Sequence, residues 1–458
     1  MASMPSVRWS GCLPFSWQAQ VPQLPAHKGL AFDRKRPGHV PKPLLPPGTR
    51  GFAAAYARER AVGKLAMRGE GWNQKDAAAS VLVTGTAIGG GFLALPYTSA
   101  PSGFVPSAVV MLVSWALLLF QAHVVTDLVV DESRRAGRVV SYATLAERRL
   151  GSGGRAVLSS LFLLLMMATL VSQFAKAGSL LSALTGLPEA GLSAVLAVGL
   201  ATLTWKSSSN TTASVNGLLT LGFMAACAVL FAAGVPLADW TRLSRTNWSV
   251  CLPSFPTILQ LFVYLEVIPT LGTILKLDPH RMKRAVLVGS VLLLILELAW
   301  SGLGLGLVPF VQGLRADPVD VLLGRGGLVS AAVLVLGCCA VCTTILGTNL
   351  ALRSFLSDGV PKRVSAFAFV ATSVLPAVAS LWPNAFFGAI DFAGAYPVTL
   401  LWGCAPPLMA LAKSKRLSGT QTTLLKLILL ASVVSVTICA AQDIGRFLGL
   451  QSVAARWA

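Results

Sequence analysis

The sequence predicts an all-α protein that crosses a membrane many times, and three observations predict it. Over its 458 residues the chain is 54% hydrophobic and only 12% charged; its mean hydropathy is +0.70, whereas a soluble domain carries about 25% charged residues. Apolar runs of membrane-spanning length recur along the chain, and the period-2 alternation of a β-barrel strand is absent from them. Two of the runs are interrupted by glycine and proline, five runs apart.

Taken in order, eleven helices are expected near 77–98, 104–130, 156–183, 190–205, 213–234, 255–276, 285–308, 327–356, 364–381, 385–411 and 421–441. A short amphipathic piece, Ser141 to Leu150, lies between the second and third. Loops on the side of the N-terminus carry most of the cations, among them Arg134, Arg148, Arg281, Lys283, Arg353, Lys362 and Lys413. The opposite loops carry Arg242, Arg245, Arg315 and Arg325. That bias puts the N-terminus inside and, with an odd number of helices, the C-terminus outside.

The net charge of +19 splits into +9 for residues 1–75 (12 Lys/Arg against three acids) and +10 for the rest. The second portion sits between helices, where it writes topology, and nucleic acid is not an expected partner. Residues 1–75 lack the apolar core of a secretory signal. They are rich in Arg, Lys, Pro and Ala, with extended sequence from Pro41 to Pro47, which suits a disordered transit peptide and linker. A basic cytosolic tail is the other reading. Residues 76–441 form the membrane domain, and 442–458 a short tail. Of eight cysteines, Cys338, Cys339 and Cys342 cluster without a nearby His, which reads as helix packing and not as a metal site. No cofactor or metal is expected.

The first interruption is Gly85-Thr86-Ala87-Ile88-Gly89-Gly90-Gly91-Phe92-Leu93-Ala94-Leu95-Pro96. Glycine costs roughly 1 kcal/mol against alanine in a helix interior and proline about 3. Unpartnered backbone at membrane depth is tolerated only where protein or a watery cavity receives it. The second interruption is Tyr264-Leu265-Glu266-Val267-Ile268-Pro269, followed by Gly272. Breaks at matching positions of two halves point to an inverted-repeat secondary transporter, with repeats at about 77–234 and 255–411 and one helix added after them.

From Asp76 to Arg416 the chain resembles the aromatic amino acid permeases, the tyrosine- and tryptophan-specific transporters. The first interruption carries most of the resemblance. Gly103-Phe104-x-Pro106-Ser107, Trp115, Leu150-Gly151, Tyr264 with Val267-Ile268-Pro269, Arg284 to Ser290 and Leu346-Gly347 to Phe355-Leu356 support it. The resemblance implies the LeuT-type fold of the amino acid–polyamine–organocation superfamily, with helices one to five and six to ten as inverted repeats. It also implies proton-coupled uptake of aromatic amino acids and, through plant and algal relatives with N-terminal extensions, a chloroplast inner envelope with the N-terminus on the stromal side. One departure stands out. Where family members often carry His in the helix-six break, this chain has Leu265, and Glu266 follows.

The expected substrate site combines Gly85, Thr86, Ile88, Gly89, Gly90 and Gly91 of helix one with Phe262, Tyr264, Leu265 and Glu266 of helix six. Free N–H groups at a half-helix end suit a substrate carboxylate; the same glycines also suit close helix packing. Phe262 and Tyr264 are placed to stack on an aromatic side chain or to pack in the core. Glu266 either holds the substrate ammonium, or carries the coupling proton, or marks a helix end that reaches water. Lys176 either substitutes for a bound sodium ion, or pairs with Glu266, or reaches an interface. Thr343, Thr344 and Asn349 of helix eight fall where the fold places a cation against helix one, and also suit inter-helix hydrogen bonding. Asp127, Glu297 and Asp391 serve either a proton path or internal pairing. The expected partners are an amino acid, a proton or sodium ion, and membrane lipid. A receptor that binds without transporting is the alternative on the same fold. A membrane enzyme would need clustered His, Asp or Cys at cavity depth, and the sequence scatters them.

Overall fold

The apolar runs all become helices in the computed structural model, which describes residues 72–207, 209–311, 317–357, 362–413 and 418–448. The N-terminal region expected to be a transit peptide lies outside the described residues except for its last few positions, and so does the end of the chain.

The first run begins at a capping box. Asn73 Oδ1 accepts from the Lys75 and Asp76 amides, and Asp76 returns a carboxylate oxygen to the Asn73 amide. Helix α1 (Gln74–Ala87) then runs to the glycines, a 3₁₀ turn spans Gly90–Ala94, and α2 (Leu95–Ser99) completes the crossing at a bend of 52°. Helix α3 (Phe104–Ala136) follows and ends on Gly137 at φ +68°, a left-handed cap. Helix α4 (Tyr142–Thr185) consists of two helices joined at a kink. Gly151, at φ +82° and ψ −176°, is non-helical and separates the expected amphipathic piece from the membrane-spanning stretch. Helices α5 (Glu189–Lys206) and α6 (Ser209–Gly234) close the first half.

The second half opens with 3₁₀ turns and α7 (Phe255–Leu261), passes a 3₁₀ turn at Leu265–Val267, and resumes as α8 (Ile268–Ile274). Pro256 and Pro269 each sit in the first turn of these half-helices, where a missing N–H costs nothing. Helix α9 (Pro279–Leu307) follows, then the short α10 (Pro318–Gly324), α11 (Gly327–Ser357) and α12 (Lys362–Ala379). The next crossing is composite: α13 (Ala385–Ala393), an eleven-residue π-helical stretch Gly394–Cys404, and α14 (Ala405–Lys413). Pro397 has no N–H to give to an α-type ladder, and the Thr399 hydroxyl bonds the Gly394 carbonyl inside the widened turn. Helix α15 (Gly419–Phe447) packs on that stretch from outside the repeats. It runs six residues past the expected end, so the tail assigned to 442–458 begins as helix.

Among the described residues, eight helices are long and apolar enough to span a membrane, nine when the bent α1–α2 pair is counted as one span. Helices α5 and α12 fill the two remaining expected positions. Exposed apolar side chains such as Val198, Leu218, Leu221 and Phe367 cover the outside, as a lipid-facing surface requires. The architecture is the LeuT-type arrangement, with five plus five helices and breaks in the first and sixth.

Ion pairs mark the end of the bundle where α1 begins. Arg281 Nε donates to Asp76 at 2.9 Å and its Nη2 to Asn73 at 3.0 Å, which ties the start of α9 to the start of α1. Lys283 meets Asp127 at 2.7 Å, and the buried Arg149 meets Glu132 at 3.0 Å. Asp127 is thereby one of the internally paired acids.

Candidate functional site

The glycines of the first break are required by three different neighbours. A Cβ on Gly89 would lie 2.4 Å from Thr344 Oγ1 on α11. One on Gly90 would lie 1.7 Å from Gln173 Oε1 on α4, and one on Gly91 would lie 2.8 Å from Leu261 Cδ2 on α7. Ordinary helix packing needs small residues on one stripe. Here three consecutive residues each admit a separate helix, so the break is the point where α4, α7 and α11 converge on the backbone of helix one.

That backbone is hydrogen-bonded across the convergence. Ile88 closes α1 by donating to Thr84 O, and Gly89 is fully extended at φ −151°, ψ −161°. The Gly90 N–H, expected to be open for a substrate carboxylate, donates to Thr344 Oγ1 at 2.8 Å. The same hydroxyl donates to Ala340 O at 2.8 Å, so it is held as an acceptor aimed at the break. Thr343, its neighbour, bonds Ala340 O of its own helix. Thr86 likewise bonds back to Leu82 O.

The second break is built from bulk. Phe262, Tyr264 and Leu265 are all fully buried beside it. Glu266 is half-buried on the 3₁₀ turn, and one of its carboxylate oxygens is buried without a hydrogen-bond partner. The first break and this one are joined by Leu261, whose side chain reaches Gly91.

Lys176 does not meet Glu266. Its ammonium lies 2.5 Å from Asp317 and 3.3 Å from Asp320, with the Phe386 ring 5.5 Å away. It faces a cavity of about 440 Å³ that Tyr97, Glu189, Trp382 and Phe387 also line. The acids come from the start of α10, a segment whose short length and mixed sequence gave no sign of a long-range partner. Above the break, Tyr97 stacks on Phe387 with ring centroids 3.8 Å apart.

Two buried polar side chains were not singled out for the substrate site from sequence. Gln173 is 2% exposed, and its Oε1, the atom over Gly90, has no hydrogen-bond partner. Asn349 on α11 is fully buried with both amide atoms unpartnered. The available signal for Gln173 was a lone amide one turn before Lys176 in an apolar run. Of the other acids, Asp391 accepts from the Thr257 hydroxyl at 2.8 Å, which ties α13 to α7.

Paired broken helices inside two inverted halves define an integral membrane transporter scaffold, and similarity to known proteins narrows it. The Tryptophan/tyrosine permease family matches residues 73–440, and the chain belongs to that family, one of transporters and not of enzymes. It is 27% identical over 358 residues to Tyrosine-specific transport system 1 of Haemophilus influenzae, covering 72% of this chain and 88% of that protein. It is 28% identical over 371 residues to a Tryptophan-specific transport protein of Pseudomonas aeruginosa, covering 74% and 86%. A Glutamine transporter 2 of Aliivibrio fischeri is 22% identical over 347 residues, covering 72% and 87%. Among solved structures, a manganese transporter of Eremococcus coleocola bound to an aromatic bis-isothiourea compound shares the fold, with a TM-score of 0.52 at 15% identity over 83% of this chain and 89% of that one.

Proposed function

We propose that this chain is a proton-coupled secondary transporter of aromatic amino acids, with tyrosine and tryptophan as the leading substrates. The observation that carries the reading is the convergence at Gly89, Gly90 and Gly91, where an extended backbone, Thr344 and Gln173 meet opposite an aromatic-rich second break. In this account the substrate carboxylate displaces the Thr344 hydroxyl from the Gly90 N–H, with the positive end of the α2 half-helix assisting. The ammonium is held by Glu266, and the side chain lies against Phe262, Tyr264 and Leu265. Helices one, two, six and seven rock against the rest to expose the site alternately on each side.

The relatives' names support an aromatic substrate, and the glutamine transporter among them makes glutamine the control. Lys176, paired with Asp317, steadies the approach to the site in this account and is not the coupling cation. The basic N-terminal 75 residues act as a transit peptide, which places the protein in the chloroplast inner envelope with its N-terminus in the stroma.

Uptake of labelled tyrosine, tryptophan, phenylalanine and glutamine into proteoliposomes tests the reading. An imposed pH gradient should drive aromatic uptake well above glutamine uptake, and a proton ionophore should abolish it. Saturable tyrosine binding with no flux under any gradient would replace the transporter with a receptor.

A further inference from the structure

Helix α9 carries a stripe that faces the first broken helix. Gly289 receives the Thr84 hydroxyl on its carbonyl at 2.8 Å, and a Cβ there would strike Ser80 O. Further along, the Trp300 indole donates to Phe92 O at 2.8 Å, Ser301 bonds Ser99 at 3.0 Å, and Gly304 abuts Pro96. Glu297 lies on this stripe, two turns beyond Gly289 and one turn before Trp300. That is the level of the break itself, between the end of α1 and the foot of the upper half.

Glu297 is 1% exposed, and neither of its carboxylate oxygens has a hydrogen-bond partner. Of the other acids in or beside the spans, Asp76 is answered by Arg281, Asp127 by Lys283, Glu132 by Arg149, Asp317 by Lys176 and Asp391 by Thr257, while the half-buried Glu266 keeps one oxygen unpartnered, against both in Glu297. The charged groups on the elements packed against α9 meet it at its ends, away from Glu297. On α1 the titratable groups are Lys75 and Asp76, both in the first turn at the far end, with Asp76 tied to Arg281. On α3 they are His123, Asp127, Asp131, Glu132, Arg134 and Arg135, of which Asp127 meets Lys283, about 21 Å along α9 from Glu297. The turn Trp240–Ser244, with Asp239 before it, presents Arg242 to Gly306, about 13 Å in the other direction. Helices α6 and α8 have no charged residue, and α2 contributes Tyr97. On the second break the acid is Glu266.

An isolated carboxylate in such a place costs several kcal/mol, and it is neutral unless water or a cation reaches it. From this we infer that Glu297 carries the coupling proton, a deeper statement of the transport reading above and dependent on it. With the proton on, α9 packs directly against helix one through contacts such as Thr84 to Gly289 and Trp300 to Phe92. With the proton off, the carboxylate demands water between the two, at the level where the halves of helix one must part. The proton bound from one side leaves to the other as the free carboxylate is hydrated, and no other bond changes. Proton occupancy and the packing of the moving helices are thus one equilibrium.

The test uses the full chain in proteoliposomes, with tyrosine as the probe. Glu297→Gln mimics the protonated form in shape. It should keep tyrosine exchange at equal pH on both sides and lose accumulation driven by a pH gradient. Glu297→Asp, which keeps the acid, should retain accumulation. In parallel, infrared spectra should show a protonated-carboxyl stretch that is missing in Glu297→Gln; this arm needs no transport. Undiminished gradient-driven accumulation in Glu297→Gln, or persistence of the whole carboxyl band, overturns the assignment. So does loss of accumulation in Glu266→Gln but not in Glu297→Gln. Wild-type tyrosine flux that ignores the pH gradient overturns it while leaving transport standing. No flux of any amino acid in the wild type removes the transport reading and the coupling role with it.

Discussion

The two breaks solve one backbone problem with opposite materials. In helix one the chain strips itself to glycine so that Thr344, Gln173 and Leu261 can approach the main chain. In helix six it keeps large side chains, and Phe262, Tyr264 and Leu265 fill the space around the turn. A site made of backbone N–H groups reads the carboxylate that every amino acid shares. A site made of side chains reads what distinguishes one from another. On the proposed reading, the difference between the breaks is a division between anchoring and selection.

The comparison breaks most easily at Gly90. Gly90→Ala places a methyl group against Gln173 Oε1, at a position where the Cβ would lie 1.7 Å from that atom. Overpacking of this kind costs about 1–3 kcal/mol, so the melting temperature in detergent should fall and uptake should drop by a similar factor for every substrate. Thr344→Val is expected to be milder. It leaves the Gly90 N–H without its acceptor, a penalty of about 1–3 kcal/mol when buried, partly offset when a substrate carboxylate arrives. Binding assays should show weaker retention of the apo fold, while Thr344→Ser behaves as wild type. Smallest in stability, and sharpest for selection, is Tyr264→Phe. Its uptake ratio of tyrosine to tryptophan should change, with total capacity little altered.

Much of this was legible in the sequence. The glycine run and the second break announced two interrupted helices, and apolar length placed every span. Thr344 was expected against helix one, but the contacts of Gln173 and Leu261 with the glycines were not legible, because those residues come from two further helices. The partner of Lys176 was missed for the same reason. An intramembrane lysine announces that it needs an anion but not which one, and Asp317 sits 141 residues away beside a seven-residue helix. The stop at Gly151 was legible as the end of the amphipathic piece at Leu150, whereas its left-handed backbone, φ +82°, was not. The π-helical stretch was hidden because one internal proline does not say how the ladder widens around it.

The central claim is that helix one anchors any amino acid and helix six chooses among them. Competition of a panel of amino acids against labelled tyrosine, in Gly90→Ala and Tyr264→Ala proteoliposomes side by side, tests it most directly. The account predicts that Gly90→Ala weakens all competitors by one common factor, and that Tyr264→Ala reorders them. A reordering in Gly90→Ala, or a uniform loss in Tyr264→Ala, would contradict it.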